Sequence, residues 1–181
     1  MFRKNNKGFT LIELLIVIAI IGVLTSVVFA VVKSAKIKAR NAKRLSDIHQ
    51  YETALELYHT DHGGYPYPDT IAVVCLGDYL NNKCGQNINY NTTESTTLNN
   101  ILSQYMPKLP ADEMVIRFTK KWTYKGYVYG CFEQPRMIAG LKVCDEIQVA
   151  WFMEGKNQRC GSGAGNTVDK KYPATKCHIV K

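Results

Sequence analysis

Glu13 is the single charged side chain between Phe9 and Val32, a run of 24 residues. A carboxylate set that deep in an apolar stretch is expensive to bury and seldom serves packing. It marks a group that needs an opposite charge, unless it lies close enough to a membrane surface to reach the headgroups. Just ahead of the run stand Gly8 and Phe9, preceded by Arg3, Lys4 and Lys7. The second set of reactive side chains is six cysteines, Cys75, Cys84, Cys131, Cys144, Cys160 and Cys177, all beyond residue 70. An even number confined to one region points to disulfides in an oxidising compartment. Zinc would want C-x₂-C pairs or closely spaced Cys and His, and the nearest approach to that is Cys177–His178. Other chemistry has little to rest on. His49, His59, His62 and His178 are scattered, and no nucleophile-elbow, zincin, P-loop or dinucleotide pattern occurs. The glycine-rich stretch 161–165 lacks the strand before it and the helix after it that a phosphate loop requires. No catalytic residue, metal or cofactor is expected, and the chain does not read as an enzyme.

The elements that carry these residues follow from composition. Residues 9–32 would span about 36 Å as helix, against a hydrocarbon core of about 30 Å. A cleaved secretory signal would have a shorter apolar region ending at a small-residue site, so a membrane anchor fits better. No proline precedes Pro66, and Gly22 is the one glycine inside the run. Helix is therefore expected from about Phe9 to His62, closed by Gly63-Gly64 and Pro66. Ala39, Ala42, Leu45, Ile48, Leu55 and Tyr58 mark its packed face, with Lys38, Arg40, Lys43, Asp47, Gln50, Glu52 and Glu56 on the others. A helix that long cannot be buried by one small domain, so lipid or other copies of the chain must cover part of it.

Beyond Tyr65–Asp69, a turn, stretch 70–80 reads as helix or strand, 85–97 as a polar loop, and Leu98–Met106 as a short helix ended by Pro107. Trp122–Phe132 and Glu146–Glu154 alternate as strands do, and Lys176–Val180 suggests a last short strand. The expected class is α+β, one long helix against a small antiparallel sheet of three or four strands. The expected organisation is a leader over 1–8, an anchor over 9–32, an amphipathic helix over 33–62 and a disulfide-stabilised head over 63–181.

The formal charge of +8 suggests nucleic acid at first sight, but its distribution argues otherwise. Residues 1–8 carry +3 and residues 33–47 carry +5, whereas the 134 residues after Asp47 carry +1. The basicity flanks the apolar run, and a DNA-binding domain is not indicated. The stretch 33–44 is expected to sit on outer headgroups, face acids on neighbouring copies, or form a solvated helical face. The six Lys and Arg after the anchor outnumber the three before it. Taken alone, that count would put the C-terminal part inside.

Lys7-Gly8-Phe9-Thr10-Leu11-Ile12-Glu13 followed by LLIVIAIIGVL resembles the start of the type IV filament superfamily: pilins, the pseudopilins of type II secretion and competence pilins. The resemblance is close over residues 7–24 and weakens to a pattern by about residue 66. It implies cleavage by a prepilin peptidase between Gly8 and Phe9, methylation of the new amine at Phe9, and Glu13 as the assembly carboxylate. Glu13 would pair with the Phe9 amine of a neighbouring copy in an apolar filament core, where an unpaired partner is heavily penalised. The implied partners are further copies and related minor pilins, the peptidase, an inner-membrane assembly platform, and membrane lipid before assembly. The implied place is the cytoplasmic membrane, crossed once with the N-terminus inside, then an extracellular or periplasmic filament. The reading is a structural subunit of a type IV pilus serving adhesion, motility or DNA uptake. The alternative is a type II secretion pseudopilin, and a monomeric anchored binding protein is a third reading. Stretch 57–66 looks like the helix-ending turn of major pseudopilins, whereas the cysteine-bearing head looks more like a surface pilin. Two features depart from the family: Ala30 stands where many pilins have proline, and six cysteines exceed the usual single C-terminal pair.

Among the 15 complete pairings that six cysteines allow, nearest-neighbour pairing needs the least rearrangement: Cys75–Cys84, Cys131–Cys144 and Cys160–Cys177. Asn91-Thr92-Thr93 matches a glycosylation sequon. Trp122, Tyr124, Tyr127 and Tyr129 are read either as an exposed binding strip or, on one face, as core.

Overall fold

Residues Leu11–His62 form one 52-residue helix, α1. Nothing in it removes a backbone donor, and it runs unbroken through position 30. It begins two residues later than expected because Thr10 caps it. It ends where Gly63 turns to a φ of +72° and its N–H donates to His59 O at 2.8 Å. Only glycine takes that conformation without strain. The structure is a computed structural model that describes residues 8–70, 73–79, 82–87, 91–112, 115–117, 122–155, 157–161, 165–168 and 174–181. It divides the chain into two compact units, 1–39 and 40–181. The second unit therefore takes in residues 40–62 of α1 as well as everything after the helix.

That unit contains β1 (Tyr65–Pro66), β2 (Val73–Leu76), β3 (Lys83–Asn87), β4 (Asn91–Thr93) and helix α2 (Thr96–Leu102). There follow β5 (Val115–Arg117), β6 (Trp122–Lys125), β7 (Tyr127–Cys131), β8 (Arg136–Ile138), β9 (Leu141–Cys144), β10 (Ile147–Glu154), β11 (Gly165–Val168) and β12 (Ala174–Val180). Among the described residues these strands make three antiparallel sheets, ordered β11-β12-β10-β7-β2, β4-β3-β6-β5 and β1-β9-β8. The class is α+β with a long helix on antiparallel strands, and the strand count exceeds the three or four expected. Two misreadings account for part of the excess. Stretch 85–97, polar enough to pass for a loop, contributes β3 and β4, which pair edge to edge. Stretch 122–132, read as one strand, is broken at Gly126 (φ +67°) into β6 and β7, which enter different sheets. A Cβ at Gly126 would lie 1.7 Å from the Tyr79 hydroxyl oxygen, so a glycine is required there. Residues 162–164, at the centre of the glycine-rich loop, lie outside the described residues, as do positions 1–7 of the leader.

Alternation along β7 and β10 divides the core in two. Tyr127, Tyr129, Cys131, Ile147, Val149, Trp151 and Met153 join Ile48, Tyr51, Ala54 and Leu55 of α1 in the main cluster. Val128 and Ala150, pointing the other way, join Cys75, Tyr79 and Cys84 in a smaller one. Tyr127 and Tyr129 are thus core. The side chains of Trp122 and Tyr124 lie outside the described ones. Buried phenols on the core face find acceptors: Tyr51 donates to Pro110 O at 2.7 Å and Tyr129 to Pro66 O at 2.7 Å.

The buried stripe of α1 differs from the expected one at its start. It runs Asn41, Arg44, Ile48, Tyr51, Leu55, Tyr58, in steps of three and four, with Asp47 beside it. Ala39 and Ala42, expected on the packed face, are exposed. The first turn of the stripe packs against acids, so its buried positions are polar and an apolar search passes over them.

Candidate assembly site

The first described residues, Gly8, Phe9 and Thr10, are non-helical and exposed. The scissile position expected at Gly8–Phe9 therefore lies in open chain ahead of α1. A Cβ added at Gly8 would meet nothing within 4 Å. The local fold places no demand for glycine there, so any such demand comes from whatever grips this segment. Phe9 is 90% exposed.

Glu13 closes a reciprocal cap with Thr10. Thr10 N–H donates to Glu13 Oε2 at 2.8 Å, the Thr10 hydroxyl donates to the same oxygen at 2.8 Å, and Glu13 N–H donates to Thr10 Oγ1 at 3.3 Å. This is the T-x-x-E capping box, in which a threonine and an acid three residues on satisfy each other's orphan N–H groups. The motif stood in the sequence, and Thr10 is the functional candidate that an exclusive attention to Glu13 missed. The cap holds the carboxylate at the helix N-terminus, where the aligned peptide dipoles favour negative charge. Among the described residues Oε1 has no hydrogen-bond partner, so one oxygen serves the cap and the other remains for a cation. From Leu11 to Val31 the large apolar side chains of α1 are exposed, between 48% and 87%. Among the described residues α1 is the one helix long and apolar enough to cross a membrane, by length and composition.

The basic stretch 33–44 divides into two groups. Arg40 grips Glu154 with Nε and Nη2, both at 2.6 Å. Arg44, 2% exposed, donates from Nε to Asp112 and from Nη1 to Glu154 Oε1 at 3.1 Å and Asn41 Oδ1 at 2.8 Å. Asn41 completes the joint, giving Nδ2–H to Glu154 O at 2.9 Å and accepting Glu154 N–H at 3.0 Å. The hydrogen bond from Arg40, with Arg44 next to it, holds the Glu154 carboxyl below the usual carboxylate range against the opposing effect of burial. Lys43 pairs with Asp47 at 2.6 Å, and Asp47 accepts the Tyr127 hydroxyl at 2.5 Å. Burial, reinforced by that carboxylate, pushes the Tyr127 phenol far up. Of the three expected roles for 33–44, headgroup, neighbouring copy or solvated face, Lys43 fits the solvated face at 61% exposure, whereas Arg40 and Arg44 take partners elsewhere in their own chain. Lys33, Lys36 and Lys38 are exposed and make no ion pair among the described residues.

The cysteines form bonds between sheets or across a loop. Cys75 on β2 joins Cys84 on β3, with Cα atoms 5.5 Å apart. Cys131 on β7 joins Cys144 on β9 at 6.2 Å, and Cys160 joins Cys177 on β12 at 5.5 Å. All six are buried. Two of the histidines pack on rings: His62 stacks on Tyr58 at 4.1 Å and His59 lies 4.6 Å from the Tyr65 ring, whereas His49 is 82% exposed beside Glu52. Among the described residues no three His, Cys, Asp or Glu gather as a metal site. The Asn91 side chain of the sequon lies outside those described.

Residues 3–29 match the family model for the prokaryotic N-terminal methylation motif. The chain is 42% identical over 66 residues to the type II secretion system core protein G of Klebsiella michiganensis, covering 36% of this chain and 46% of that protein. It is 47% identical over 62 residues to the protein of the same description from Escherichia coli (strain K12), covering 34% and 43%. To that of Vibrio cholerae it is 38% identical over 66 residues, covering 36% and 45%. The chain thus matches less than half the length of each of these relatives. No solved structure gives a significant match.

Proposed function

We propose, from the premise that the chain belongs to the type IV pilin and pseudopilin family, that it is a pseudopilin of a type II secretion system. It is a pilin-like subunit whose first helix anchors it in the membrane and then builds a short filament in the periplasm. The observation that carries this reading is the run of relatives described as type II secretion core protein G. They favour the secretion filament over the surface pilus expected from the sequence. In this reading the peptidase cuts between Gly8 and Phe9, the amine of Phe9 is methylated, and Glu13, held by Thr10, offers Oε1 to the Phe9 amine of the next copy. Residues 9–32 form the anchor and later the filament core, and 40–181 form the disulfide-braced head. The role is structural, its partners being further copies, related pilins and the secretion machinery.

A deletion strain tests the reading. Loss of enzymes from the culture medium, with their accumulation in the periplasm, supports a secretion role; intact secretion together with loss of surface filaments overturns it in favour of the pilus. N-terminal mass spectrometry of the membrane-extracted protein tests the processing step, with methylated Phe9 as the expected first residue and an intact Met1 as the contrary result.

A further inference from the structure

Lys33, Lys36 and Lys38 remain after the other basic residues of their stretch have been assigned partners. No acid occurs between Glu13 and Asp47, so none of the three has a carboxylate three or four positions away along the helix. Their arrangement is informative. At 100° per residue, Lys36 lies about 60° to one side of Lys33 and Lys38 about 140° to the other. They spread over more than half the circumference of α1. A contact with one flat partner covers a stripe of about 100°, so no single helix or sheet face could meet all three. Their axial spread matches something else. Lys33 to Lys38 covers about 7.5 Å of helix, starting one residue after the apolar run ends at Val32. The headgroup layer on each side of a bilayer is about 5–8 Å thick.

We propose that Lys33, Lys36 and Lys38 form a collar that binds the phosphates of anionic phospholipids around the helix as it leaves the membrane. Long ammonium side chains suit this position, because their stems lie along apolar surface while the charges reach different headgroups. The collar anchors the subunit against axial sliding before assembly, and it must release its lipids when the subunit leaves the bilayer. The inference rests on the reading of 9–32 as the anchor.

The test reconstitutes the full chain in phosphatidylcholine vesicles carrying a trace of spin-labelled phosphatidylglycerol or spin-labelled phosphatidylcholine. The immobilised fraction of each label gives the preference for the anionic lipid. Wild type should prefer phosphatidylglycerol by about five-fold, the effect of one lysine contact of ~1 kcal/mol, and the preference should fall with salt. The triple variant Lys33→Gln/Lys36→Gln/Lys38→Gln should lose at least half of that preference, while the triple Lys→Arg variant keeps it. A remainder is expected from Arg3, Lys4 and Lys7 in the opposite leaflet. An unchanged preference in the Gln variant refutes the collar, as does a wild type without preference. Loss of cross-linked oligomers with lipid preference intact would refute it too, and would assign the lysines to acids on a second copy. Failure of wild type to float with the vesicles at all would instead sink the anchor reading.

Discussion

The joint made by Arg44 is the most demanding piece of packing in the head, and its removal should be costly. Arg44 has a side chain 2% exposed and meets Asp112 and Glu154, themselves 18% and 14% exposed. Replacing it with methionine keeps most of the volume and removes the charge. Arg40 still holds Glu154, but Asp112 loses its guanidinium and Asn41 Oδ1 loses a donor. Removing one member of a buried pair costs about 3–5 kcal/mol; because both acids keep some access to water, the lower end, about 3 kcal/mol, is expected. Lys43→Gln is the internal control. Lys43 is 61% exposed and pairs with Asp47, an arrangement worth at most about 1 kcal/mol. Urea unfolding of the full chain in detergent, disulfides intact, measures both. A double-mutant cycle with Glu154→Gln should show positive coupling, the double variant losing less than the sum of the singles. If Arg44→Met destabilises no more than Lys43→Gln, the joint is not what holds the start of the packed helix to β10, and the reasoning fails.

Glu154 gives the joint a pH dependence. Its folded-state carboxyl is depressed below the ordinary value of 4.5, so its contribution is fully present above about that pH and is lost as pH falls through the lower, folded value. The gap in stability between wild type and Glu154→Gln should therefore be constant near neutrality and close below pH 4.5, measured by urea unfolding across that range. Gly126→Ala should cost about 1–3 kcal/mol from the left-handed backbone alone, with the Tyr79 clash added, and should lower the thermal midpoint; an unchanged midpoint would show that the β6–β7 break is differently built. Peptide mapping without reduction should yield Cys75 with Cys84, Cys131 with Cys144 and Cys160 with Cys177, and converting any pair to alanine should cost about 2–4 kcal/mol; Cys75 linked beyond residue 130 contradicts it. Glu13→Ala should give processed, membrane-inserted protein that enters filaments poorly beside wild type, read by cross-linking of mixed subunits; equal incorporation would remove the pairing role.

The long helix was legible because it needs only local information: no proline for 65 residues, an apolar run, then Gly63-Gly64. The capping box was equally local, four letters from Thr10 to Glu13, and the search for a lone buried charge looked past it. The sheets were less legible because strands such as β3 and β4 are defined by their pairing and carry little apolar signal of their own. Gly126 illustrates the difficulty. As a letter in 122–132 it interrupts nothing, and its meaning depends on Tyr79, 47 positions earlier, filling the space where its side chain would be.

The charged joint was hidden for a related reason. Basic residues after an apolar anchor ordinarily read as surface, and the acids that claim two of them, Asp112 and Glu154, lie 68 and 110 positions beyond Arg44. The packed stripe of α1 can nevertheless be traced once residue type is ignored and spacing alone is followed, since 41, 44, 48, 51, 55 and 58 keep the same three-four rhythm from asparagine to tyrosine. Arg44 lies on the stripe, with Arg40 and Lys43 flanking it; the two arginines are drawn to carboxylates beyond the helix and Lys43 to Asp47, one turn along it. Lys33, Lys36 and Lys38 precede the stripe and surround the helix on several sides. A stretch with one composition therefore has two physical roles, and it is position along the helix that distinguishes them: Lys33 lies within about 20° of Arg40 and Arg44 around the axis, but two to three turns ahead of them.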